Sequence, residues 1–133
     1  MTAYNTNLAA EFFVLSMLHR KGITANLTLG NRKEVDIVVE KATGELITID
    51  VKGIAGTTSW PIDRFAGGRK GHFLIFVSFK GKIGDETVIP EVYVIPSPVV
   101  SRILYKGRTG RQFVELRKLR KSGKYKDCWE LLL

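Results

Sequence analysis

The chain has one cysteine, Cys128, and two histidines, His19 and His72, in 133 residues. A disulfide within the chain is therefore excluded, as is a zinc site built on cysteines. The histidines lie far apart without metal-ligand spacing, and each reads as a surface or half-buried side chain. No apolar run approaches the roughly 20 residues of a membrane span, and no basic stretch followed by an apolar one opens the chain. Low-complexity tracts, internal repeats and linker-like segments are also missing. Acidic residues are scarce too: 13 against 21 Lys and Arg, a formal charge of +8. These absences predict a single domain spanning residues 1–133, soluble, without membrane contact, in the reducing cytoplasm.

The excess of positive charge favours a polyanionic partner, nucleic acid first. It is concentrated after Arg102, where Lys106, Arg108, Arg111, Arg117, Lys118, Arg120, Lys121, Lys124 and Lys126 meet only Glu115 before Asp127. Such a run is either a solvated helix face or a nucleic-acid surface.

Periodicity places a helix over residues 5–21, with Leu8, Phe12, Leu15 and Leu18 as its apolar stripe and Gly22 as its stop. Strands are expected at 23–29, 34–39, 46–52, 72–79 and 91–95, from β-branched and apolar runs between turn residues. Residues 53–71, with five glycines and Trp60-Pro61, read as a long, partly mobile loop holding one helical turn near 62–65. Helices are expected at 99–105, 113–121 and 125–132. The order predicts an α/β fold with a mixed central sheet flanked by helices.

Two of these strands carry the chemistry. Glu34-Val35-Asp36-Ile37-Val38-Val39 and Leu46-Ile47-Thr48-Ile49-Asp50-Val51-Lys52 flank the turn Ala42-Thr43-Gly44. Asp50 and Lys52 share a strand face, Val51 points the other way, and a hairpin lays Asp36 beside them. Two carboxylates at the end of an apolar sheet need a partner, and a divalent cation is a natural one. Mg²⁺ or Mn²⁺ fits Asp36 and Asp50, with the Val51 backbone carbonyl as a further ligand. An ion so held neutralises charge on a phosphodiester and acidifies a water. Lys52 beside it can position or deprotonate that water, or offset phosphate charge. Glu11 lies on the helix stripe facing the sheet; it either joins this group or sits at the edge with its head in solvent.

At Glu11, Asp36 and Asp50-Val51-Lys52 the chain resembles the PD-(D/E)xK nuclease superfamily. Its pattern is an acid on a first helix, an Asp at a strand start and (Asp/Glu)-x-Lys on the next strand. Val35 stands where that pattern has proline. Residues 92–97 and 125–132 are also similar to small members related to homing endonucleases and Holliday-junction resolvases. The resemblance implies a restriction-endonuclease-like αβββαβ core and metal-dependent cleavage of nucleic acid, DNA more often than RNA and often by a homodimer. It implies catalytic roles for Glu11, Asp36, Asp50 and Lys52, with Glu11 supporting the metal or binding a second ion. Contacts to nucleic acid are expected from Arg64, Arg69 and Lys70 in the glycine-rich loop and from Arg108 and Arg111. Trp60 either stacks on a base or caps the core. The alternatives are a nucleic-acid-binding module without turnover and a hydrolase of small phosphate compounds.

Overall fold

The computed structural model describes residues 2–28, 35–63, 65 and 67–133. It opens with helix α1 (Ala3–Arg20), capped by Thr2, whose hydroxyl accepts from the Asn5 amide at 3.1 Å. Five strands then build one mixed sheet: β1 (Thr24–Leu27), β2 (Ile37–Glu40), β3 (Leu46–Ile54), β5 (His72–Ser78) and β6 (Glu91–Pro96), in the order β1-β2-β3-β5-β6. All neighbours run antiparallel except β3 and β5, which are parallel. Among the described residues, the crossover between that pair holds no helix but a short strand, β4 (Ser59–Pro61). After β6 come α2 (Ser97–Ile103), β7 (Tyr105–Lys106), β8 (Gln112–Glu115), α3 (Leu116–Ser122) and a 3-10 turn over Trp129–Leu132. The mixed α/β class is the one the sequence predicts.

The sheet is covered on both faces. On one, Val14 and Leu18 of α1 pack against Ile37, Val39, Ile49, Val77 and Trp129. On the other, Leu74, Phe76, Tyr93 and Ile95 meet Trp60, Val100, Val114 and Leu119. Burial from both sides explains the near-continuous apolar run of β5.

Three expectations need correction. The buried stripe of α1 is Thr6, Ala10, Val14 and Leu18, while Phe12 is exposed. The reason is close packing: a Cβ built on Gly53 of β3 would stand 2.7 Å from the Ala10 Cβ, so only small residues fit where helix and strand touch. The 53–71 stretch is not merely a loop, because β4 pairs with β8 and β7 in a second, three-stranded sheet. That pairing also turns residues 113–115, where a helix over 113–121 was expected, into part of strand β8. Near the C-terminus the chain forms a bridge between Lys126 and Tyr93 and a single 3-10 turn instead of a longer helix.

α3 is tied to the sheet by an ion pair. Arg120 donates two hydrogen bonds of 2.8 and 2.9 Å to the buried Glu91 carboxylate, which also accepts from the Tyr93 hydroxyl. The Arg120 guanidinium holds the Glu91 carboxyl below its usual range. Arg120 is thereby committed to structure.

Candidate active site

The β2–β3 ladder ends at the Ile37–Ile49 pair, but β3 continues to Ile54. At Asp36 the backbone bends out of the ladder, its amide donating to the Ile49 carbonyl at 2.8 Å. Among the described residues no strand pairs with β3 past this point on that side, and the Asp36 side chain stands there: Oδ2 accepts from the Val51 amide at 2.7 Å. Amide and carbonyl of one strand residue point to the same side, so the Val51 carbonyl faces this opening as well. One Asp36 oxygen is thus fixed by backbone, and the same carboxylate shares side-chain hydrogen bonds with Glu11 and Asp50.

Asp50, 7% exposed, and Lys52, about one-third exposed, share the β3 face; Lys52 Nζ lies 3.4 Å from Asp50 Oδ2. Asp36 completes the group from the neighbouring strand. The sequence-predicted set Asp36, Asp50 and Lys52 is brought together.

Glu11 joins them from α1, where it follows Ala10 at the tight Gly53 contact. Its carboxyl is pushed up to about 7, first by burial, then by a hydrogen bond shared with Asp36 and by the charges of Asp36 and Asp50. Burial likewise pushes Asp50 up to about 7, with Lys52 pulling it down and Asp36 adding to the rise. Three crowded carboxylates face one ammonium, a donor set short of positive charge and suited to a hard, oxygen-seeking cation. Among the described residues, no three His, Cys, Asp or Glu side chains are grouped to hold an ion between them. The geometry therefore suits two carboxylate ligands, Asp36 and Asp50, with the Val51 carbonyl, and sets Glu11 against Asp36.

The crowding has a measurable sign. An acid whose folded pKa exceeds its unfolded value of about 4 favours the fold below that value and loses the benefit as pH rises to 7. The metal-free protein should therefore lose stability between about pH 4 and 7 through Glu11 and Asp50. His72, pushed down to about 4 chiefly by burial, works in the opposite direction between pH 4 and 6.5. Urea midpoints of wild type minus those of Asp50→Asn, measured across this range, cancel the histidine and isolate the carboxylates. A flat difference would show that the carboxylates do not repel.

Beside Lys52 a groove of about 540 Å³ opens between the first turns of α1 and β4, lined by Asn7, Gly53, Ser59 and Pro61 among others. The other expected contacts divide. Arg69 and Lys70 are exposed, whereas Arg64 lies outside the described residues. Arg108 is exposed in the β7–β8 turn, which the Gly107 amide closes on the Arg111 carbonyl at 2.8 Å. Arg111 donates to both oxygens of Asp63, at 3.3 and 2.9 Å, and lies over the Phe113 ring. Its fork holds the hairpin to the crossover while the side chain stays half-exposed.

Trp60 is corrected outright. It is 1% exposed, its indole N–H donates to the Val77 carbonyl at 3.0 Å, and its ring packs edge-on to Phe76. It caps the core and cannot stack on a base from there. The contact of Arg69 with His72 went unread in the sequence; the turn in which the His72 amide donates to the Arg69 carbonyl at 3.3 Å creates it.

No family model matches the chain, and no curated protein matches it. Among solved structures it is similar to a bacterial homing endonuclease, I-Ssp6803I. The TM-score is 0.65 and the identity 21%, over 99% of this chain and 91% of that one. At that identity the likeness speaks for the fold: a nuclease-like α/β architecture.

Proposed function

We propose that the chain is a Mg²⁺- or Mn²⁺-dependent endonuclease of the PD-(D/E)xK type acting on DNA. The observation that carries this reading is the convergence of Asp36, Asp50 and Lys52 where β3 outruns β2. The likeness in fold to a homing endonuclease supports DNA over RNA as the substrate.

Asp36, Asp50 and the Val51 carbonyl would hold the divalent cation. Bound there, the ion supplies charge neutralisation at phosphorus and a more acidic water. Lys52 stands on the same face with its ammonium partly in solvent, where it can orient the attacking water or offset phosphate charge. Glu11 hydrogen-bonds with Asp36 and fixes its orientation. The groove beside Lys52 continues the site and gives a strand a path past α1. Cutting both strands of a duplex takes two such sites, which a homodimer would supply.

The test is cleavage of labelled linear, flapped, four-way and single-stranded DNA with Mg²⁺ or Mn²⁺. Lys52→Ala should cut about 10²-fold more slowly, a typical loss for a group that assists proton transfer, and still bind DNA. Mn²⁺ should broaden the NMR signals of Asp36 and Asp50. A protein that binds DNA without either effect is a binding module on this scaffold, and the nuclease reading fails.

A further inference from the structure

Thr48 precedes Asp50 by two residues and so stands on the same face of β3, about 7 Å along the strand. Across from it on parallel β5 is His72. The His72 Nδ1 lies 2.7 Å from Thr48 Oγ1 and 3.3 Å from Arg69 Nη2. A guanidinium only donates, so the Arg69 contact is a hydrogen bond when Nδ1 is the unprotonated nitrogen of a neutral His72, its one lone pair then shared with the Thr48 hydroxyl. His72 is 3% exposed, while Arg69 is exposed.

The backbone of Arg69 is held as firmly as its head. Its amide donates to Ser97 Oγ at 2.9 Å, and the same buried hydroxyl donates back to the Arg69 carbonyl at 2.9 Å. Gly68 lies flat on α2, where a Cβ would meet Pro98 Cα at 2.4 Å. An exposed arginine ordinarily gives up much rotamer freedom to hold a ligand. Here the chain on both sides and one guanidinium nitrogen are fixed beforehand. Its other donors have no protein partner among the described residues.

We propose that Arg69 is a preorganised phosphate clamp, aimed by His72, for the phosphate next to the scissile one on a strand lying along β3. The proposal rests on the nuclease reading and adds to it a second contact point and a positioning residue. The binding face then runs from Arg69 past Asp50 to Lys52, which fixes the direction in which the strand crosses the sheet. Burial and the charge of Arg69 keep the imidazole neutral across the physiological range, so the acceptor does not switch off near pH 6.

The test uses duplexes with one methylphosphonate linkage placed at each position around the cleaved bond, which removes a single charge at a time. The wild-type KM should rise about tenfold at one neighbouring linkage, with a smaller change in kcat. Arg69→Ala should raise KM about tenfold on the unmodified duplex, lose nothing more at that linkage, and reduce the salt slope by about 1. His72→Asn, whose Oδ1 can replace Nδ1 as acceptor, should bind nearly as wild type, and His72→Val should behave like Arg69→Ala. Additive losses from Arg69→Ala and the modified linkage, or an unchanged salt slope, would overturn the proposal. Equal binding by the Asn and Val variants would overturn the role of His72. Binding and salt slope are read on uncut duplex, so a protein that fails to cleave still tests the clamp and separates its failure from that of the nuclease reading.

Discussion

Asp50→Asn should abolish cleavage, by at least about 10³-fold, and at the same time make the metal-free protein more stable at pH 8. The rate loss follows from removing one of two carboxylates able to hold the cation: about 4 kcal/mol of lost transition-state stabilisation corresponds to three decades. The gain in stability follows from the same residue's burial. Asp50 is 7% exposed, and burial raises its pKa against the pull of Lys52. Asparagine keeps the shape and drops the charge, relieving both the desolvation and the repulsion from Asp36 and Glu11. A gain of roughly 1–2 kcal/mol is expected, or about 3–8 °C in melting temperature. Calorimetry at pH 8 with chelator, beside a cleavage assay, gives both readings. If Asp50 were simply the ion-pair partner of Lys52, the substitution would lower stability, and the two outcomes have opposite signs.

Gly53→Val should cost about 2–4 kcal/mol of stability and slow cleavage by about 10²-fold. Gly53 follows Lys52 directly, and even one added Cβ would stand 2.7 Å from Ala10 Cβ and 3.2 Å from the Thr6 carbonyl oxygen. A larger side chain must drive α1 away from β3, an overpacking that costs 1–3 kcal/mol by itself and more if Val14 and Leu18 lose contact. Glu11 rides on that helix, and a shift near 1 Å at a catalytic group can remove two decades of rate. The control is a swap. Gly53→Ala should hurt alone, and adding Ala10→Gly should recover much of the loss in a double-mutant cycle. If the two losses simply add, the helix–strand contact does not set the position of Glu11.

The site was legible because its signal is local. Asp36, Asp50 and Lys52 lie within seventeen residues on two strands joined by a short turn, where alternation and β-branching are read directly. A glycine directly after the charged residues of a strand, as at Gly53, signals a bend or a close backbone approach for a similar reason. The buried face of α1 was not, because Thr6 and Ala10 carry little hydrophobicity and Phe12 carries much. Fit against Gly53 decided that face, and no helical period reports it. Trp60 and residues 113–115 failed on distance along the chain. β4 and β8 are strands because each supplies the other's hydrogen bonds across some fifty residues, and neither segment is long enough to announce itself. The Thr48–His72 link is hidden in the same way, its two residues meeting only after β3 and β5 pair in parallel.

The overhang of β3 beyond β2 has a consequence for how copies of this protein behave at high concentration. A strand edge without a neighbour is a template on which another chain can add a strand. Here the first free amide, that of Val51, is already taken by the Asp36 carboxylate, and Lys52 sets a charge beside it. If Asp36 and Lys52 serve the proposed cleavage, chemistry and resistance to self-association rest on the same side chains. A substitution of Asp36 that silences the site also uncaps the edge, and such a protein would be expected to aggregate sooner than its wild-type parent.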